Sequence, residues 1–132
     1  MILNDILLSV IALAQQESLF APITVGALPA TNGLCMTIGS GSDGEIYRNA
    51  SAYSTLTIVF NGKHKDQSTL LDTLGRVHKR LTTNWNYPQT DEFQITAIET
   101  DAAPAYLDRD DSGEWLYGSS LRINYYRRQK NG

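Results

Sequence analysis

The chain has 132 residues, the usual size of one domain, and its 42% hydrophobic and 19% charged content argues against disorder. A chain of this length buries roughly 68% of the surface its unfolded form exposes, so it needs no covalent or metal staple to fold. The formal net charge of -3 and a pI near 5.2 provide no electrostatic footprint for general nucleic-acid binding. Cys35 is the only cysteine, which rules out an intramolecular disulfide and points to no oxidising compartment.

The N-terminal stretch from Met1 to Ala14 is apolar, and Ala12-Leu13-Ala14 resembles a signal-peptidase site. No basic residue precedes it, Asn4 and Asp5 stand where a leader carries positive charge, and the run is too short to span a bilayer. Leu3, Ile6, Leu7, Val10, Ile11 and Ala14 trace one face at helical spacing, which predicts an amphipathic packing helix over about Ile2–Gln16. Ile23-Thr24-Val25 reads as a short strand after Pro22, and Leu34–Ile38 as a second strand in which Cys35 is a buried structural thiol.

Gly39-Ser40-Gly41-Ser42-Asp43-Gly44 has a superficial GxGxxG form. A dinucleotide fingerprint requires a helix directly behind it, and Glu45–Ala50 has no helical apolar stripe. The segment is therefore expected to be a mobile loop that orders against a partner. Ala52–Phe60 is the clearest strand, with Leu56, Ile58 and Phe60 on one side and Thr55, Thr57 and Val59 on the other. Asn61-Gly62 reads as its closing turn, with Lys63-His64-Lys65 a small basic patch there.

Asp66 suits the N-cap of a second helix, whose stripe is Leu70, Leu74, Val77 and Leu81. Gly75 interrupts that pattern at about 1 kcal/mol relative to alanine and would permit a close backbone approach. Arg76, Lys79 and Arg80 lie toward the helix C-terminus, where cations suit the dipole. Glu92–Thr100 alternates again, and Trp115–Tyr126 continues the strand theme with Leu121, Ile123 and Tyr125 opposite Arg122, Asn124 and Tyr126. This order predicts one α+β domain over residues 1–132: a mostly antiparallel sheet with two main helices on one face.

The chemistry-bearing residues form no catalytic or metal constellation. His64 and His78 flank the second helix without ligand spacing, and surface or interface positions are expected for both. Asp108-Arg109-Asp110-Asp111-Ser112-Gly113 matches the opening of a calcium loop, but Ser119 stands where the bidentate glutamate belongs and strands flank it. A hairpin turn with solvated carboxylates is the reading. Glu99 and Asp101 would share a strand face without an identifiable partner, and no serine or cysteine sits in a nucleophile motif. No catalytic residue, cofactor, metal, membrane or specific nucleic-acid partner is expected. A small intracellular binding or adaptor domain, and an enzyme with a scattered site, stay open as alternatives.

The apolar N-terminal helix from Ile2, the strand Leu56–Phe60, the run Asn61-Gly62-Lys63-His64-Lys65-Asp66 with the helix behind it, and Pro104–Arg109 followed by Leu121–Tyr126 give the chain its texture. In these features it resembles the minor capsid and tail-terminator proteins of long-tailed bacteriophages. The resemblance implies a sheet covered by helices and a homohexameric ring that caps the tail tube, stops its growth and joins it to the head. The implied partners are the tail tube protein and a head-completion or connector protein. The implied location is the head–tail junction of the virion, assembled in the host cytoplasm, and the family brings no catalytic residues. The interface candidates are Gly39, Ser40, Gly41, Ser42, Asp43 and Gly44. With them go Lys63, Lys65, Arg127 and Arg128, whose charges suit Asp108, Asp110 and Asp111 on a neighbouring protein.

Overall fold

Alternation along the central strands generates a face that must be covered. Leu56, Ile58 and Phe60 are fully buried, as are Leu121 and Ile123 beside them, because cross-strand partners point to the same side of a sheet. The computed structural model describes residues 2–29, 31–46, 52–84 and 86–128, with the side chains of 2, 40–46 and 52 set aside. Its elements in chain order are α1 (Ile2–Ala14), β1 (Ile23–Val25), β2 (Gly33–Ile46), β3 (Ala52–His64), α2 (Gln67–Thr82), β4 (Phe93–Arg109) and β5 (Trp115–Arg127). The strands form one sheet in the order β1-β2-β3-β5-β4, antiparallel at every pairing except β1 with β2. The fold is α+β, as the sequence pattern predicts.

Both helices supply the cover. Ile6, Leu7, Val10, Ile11, Leu13 and Ala14 of α1 and Leu70, Leu74, Val77 and Leu81 of α2 join one apolar cluster with Leu34, Met36, Phe93, Ile95 and Ile98 of the sheet. Each leucine, isoleucine, valine, phenylalanine or methionine among them contributes roughly 1.5–3 kcal/mol by leaving water. Asp66 caps α2 as expected: its carboxylate accepts from the Ser68 amide at 3.2 Å and the Thr69 hydroxyl at 2.6 Å. The Thr69 hydrogen bond chiefly holds the Asp66 carboxyl below its ordinary pKa. Among the described residues no helix is long and apolar enough to cross a membrane.

Four local expectations need correction. Asn61-Gly62 does not end β3. The strand continues to His64, with Gly62 paired to Leu34 on one side and Tyr117 on the other. Glycine stands there because α2 crosses above it: a Cβ on Gly62 would lie 2.5 Å from Leu70 Cδ1 and 3.1 Å from Leu34 Cδ2. Conversely, a Cβ on Gly75 would meet nothing within 4 Å, so that glycine allows no close approach.

The third correction concerns Gly39–Gly44, which belongs to β2 rather than to a loop. Ser40, Gly41, Ser42 and Asp43 pair with Thr57, Leu56, Thr55 and Ser54 of β3. The β-branched and apolar residues of β3 template this pairing, and register shifts at Ile38/Ser40 and Asp43/Ile46 take up the irregularity. Strand β4 likewise runs well past the Thr100 end expected for it, through Pro104, which an edge strand tolerates.

The two glycines predict opposite responses. Gly75→Ala is expected to raise unfolding free energy by up to about 1 kcal/mol through helix propensity. Gly62→Ala is expected to lower it by about 1–3 kcal/mol through overpacking. Urea unfolding of both variants checks this, and equal effects at the two sites would contradict the assigned packing.

Candidate assembly surface

The candidate residues fall in three places. The turn after β4 and the end of β3 form the first. Asp110 Oδ1 accepts from the Ser112 amide at 3.0 Å, the Ser112 hydroxyl at 2.7 Å and the Glu114 amide at 2.9 Å. The turn closes with the Gly113 amide donating to Asp110 O at 2.9 Å, and Gly113 takes φ +85°, a conformation that suits glycine. Lys63 Nζ meets Asp110 Oδ2 at 2.8 Å.

These bonds, that from Lys63 foremost, hold the Asp110 carboxyl far below its ordinary pKa, and the same contact raises Lys63. The Lys63–Asp110 pairing expected between subunits thus exists within one chain. The turn's central carboxylate is occupied by in-chain donors, and among the described residues no group of acids, histidines and cysteine gathers to hold a metal. Asp108 at the end of β4, Asp111 on the turn and Lys65 just after β3 stay exposed. Glu114, only 1% exposed, anchors the tip by accepting from the Asn32 amide at 3.0 Å.

The second place is the opposite end of the sheet. Register puts Lys63 beside Leu116 and Ala52 beside Arg127, so the two basic groups stand about 35 Å apart at the rise of a β-strand. Arg128 donates to Gln89 Oε1 at 3.2 Å and Gln94 Oε1 at 3.1 Å, which fastens the chain after β5 to the start of β4. The third place is the outer part of β2, where Gly39–Gly44 lies as described above.

Two features escape a reading by sequence alone. Glu99 and Asp101 do share a face, and their partner is Arg122, at 3.7 and 3.1 Å; Ser120 and Asn124 extend the network at 2.8 Å to Asp101 and Glu99 respectively. Register between strands creates these contacts, and only the alternation of polar residues along β5 foreshadows them. The second feature is His78, which is 6% exposed rather than at the surface. Its Nε2 lies 2.7 Å from Ser119 Oγ, and Ser119 donates its own proton to Phe60 O at 3.1 Å. His78 Nε2 is therefore the donor in that pair, and Nδ1 accepts from the Thr100 hydroxyl at 3.3 Å. A serine whose proton is committed to a main-chain carbonyl, itself 5% exposed, is built as a structural bridge. Burial lowers the His78 pKa and so favours the neutral ring. Burial likewise raises the Cys35 pKa and holds it as a thiol.

The candidates thus lie at a braced hairpin tip, at the opposite end of the sheet and on the outer part of β2, beside the Glu99–Arg122–Asp101 network, which is the equipment of a structural subunit. A family described as bacteriophage tail terminator protein matches residues 7–127, nearly the whole chain. The chain belongs to that family, a family of structural virion proteins. No curated protein matches the sequence.

Two pH effects follow. A lowered histidine pKa means that the unfolded chain takes up its proton first, near pH 6.5. Stability from neutral His78 is therefore complete above that value and declines as pH falls below it, by at most about 1.4 kcal/mol per pH unit. His78→Gln is expected to flatten this decline between pH 6.5 and 5 in denaturant titrations; an unchanged slope would contradict it. For Asp110 the depressed carboxyl stabilises fully above the unfolded value near 3.9 and loses that contribution as pH falls further. Asp110→Asn should accordingly lose less stability than the parent between pH 4 and 2, whereas parallel acid limbs would show the turn to be uncoupled from folding.

Proposed function

We propose that the chain, acting as one domain, forms a hexameric ring that caps the tail tube, stops its growth and provides the surface to which the head joins. Family membership carries this reading. The physical support is that the apolar face is already covered by the chain's own helices, which leaves edges, hairpin ends and a polar face for association. In this reading the tail tube protein and a head-completion or connector protein are the partners, and assembly takes place in the host cytoplasm.

The interface draws on the β2 segment Gly39–Gly44 and on charges at both ends of the sheet. Lys65, Asp108 and Asp111 serve at one end, Arg127 and Arg128 at the other, with the Lys63–Asp110 pair holding the tip in shape. Exposed charges of this kind set orientation, while apolar and main-chain contacts supply most of the affinity.

Deleting the gene from the phage tests the reading. Separate heads and overlong tails in electron micrographs are the expected result. Tails of normal length joined to heads would overturn it.

A further inference from the structure

The sheet has two open edges of different origin. On one side, β1 covers β2 only over Leu34–Met36, and the Gly26 amide donating to Met36 O at 3.0 Å closes that short ladder. Beyond Met36, no strand among the described residues pairs with the outer side of β2 as far as Ile46. On the other side, β4 is covered at its start, where Gln89 bridges Gln94 and the Ile95 amide donates to Pro88 O at 3.1 Å. From Thr96 to Arg109 no described strand covers it. Open main-chain donors and acceptors of this length are a template for another strand.

We propose that the free edge of β4 in one copy of the chain pairs, antiparallel, with the free edge of β2 in the next copy, so that the sheet continues from subunit to subunit. This deepens the ring reading above and rests on it. The first support is direction. Steps from β2 to β3, to β5 and to β4 are all antiparallel, so β4 runs opposite to β2. Placing a second copy alongside without inverting it therefore sets the two edges antiparallel.

The second support is level. Register carries Thr37 across Val59 and Ser120 to Ala102, and Gly41 across Leu56 and Ile123 to Ile98. The uncovered part of β2 thus stands at the same height as the uncovered part of β4 that precedes Pro104. Proline has no amide to donate, which ends the useful stretch of β4 there.

The third support is composition. Gly39-Ser40-Gly41-Ser42 is a small-residue stretch within a strand, and glycine there suits close approach of another backbone. Half-exposed Tyr106 and Leu107, at 50% and 57%, add apolar surface just beyond the seam. The occupant is a second copy because the two edges complement each other in direction and level. Repeated by rotation, such a head-to-tail contact closes into a ring.

Cysteine cross-linking in a Cys35→Ser background tests the pairing. The level pairs are Thr37→Cys with Ala102→Cys, and Ser40→Cys with Glu99→Cys. The exchanged combinations, Thr37 with Glu99 and Ser40 with Ala102, read a pairing displaced along the strands. Oxidation of the assembled protein is expected to give, for at least one double variant, a ladder of covalent multimers ending at the ring, while each single variant gives none. The unsubstituted chain provides a check that does not depend on the variants folding: amide exchange over Thr37–Asp43 and Ala97–Ala103 should slow at least tenfold on self-assembly. Rings of normal mass with no ladder and unchanged exchange would overturn the edge pairing and leave the ring reading intact. A folded chain that stays monomeric at every concentration would remove both. Protection of these edges only in a complex with the tail tube protein would overturn the second copy as the occupant.

Discussion

The packing of α2 and α1 over one face of the sheet is the constraint on which the rest of the structure depends. Leu56, Ile58, Phe60, Leu121 and Ile123 present a continuous apolar surface that a single helix does not cover, and the chain closes it from two sides of its sequence. The close approach of Leu70 above Gly62 sets how near α2 can lie. Asp66 fixes where α2 begins, two residues after β3 ends, so that strand and helix meet at a short, capped corner. The Arg80–Glu17 and Arg76–Glu17 ion pairs then tie the chain just after α1 to α2.

Because the apolar cluster is filled from within one chain, what stays outward is mostly polar, charged or main-chain, with single apolar side chains such as Tyr53, Tyr106 and Leu107 among them. The outer face carries the Glu99–Arg122–Asp101 network, the hairpin tip is braced by Lys63, Asp110 and Glu114, and the edges of β2 and β4 are open. This division suits a protein whose subunits fold first and join afterwards. Buried polar groups follow the same logic: His78 and Ser119 satisfy each other and Phe60 O, so α2 is fastened to β3 and β5 by hydrogen bonds in addition to apolar contact.

Elements with strong local periodicity were legible in the sequence. The α1 stripe, the alternation of β3 and β5 and the Asp66 cap all depend on neighbours close along the chain, and the α+β class followed from their order. Features set by distant partners were not legible. Gly62 resembles a turn residue until α2 is placed above it, and Gly39–Gly44 resembles a linker until β3 offers a paired edge. His78 resembles a surface residue because its partners, Thr100 and Ser119, come from two other strands. The candidate surface was legible as a set of charges and small residues. Its division into two ends and an edge depends on the register of β3, β4 and β5, which no local pattern contains.

The proposed ring requires that each subunit be complete before it associates and that association close on itself. Native mass spectrometry of the purified chain over a range of concentrations tests it most directly. A compact folded monomer at low concentration, giving way to one closed species of fixed copy number as concentration rises, is the predicted result. An expanded or aggregating monomer, or a continuous distribution of open-ended polymers, would contradict it.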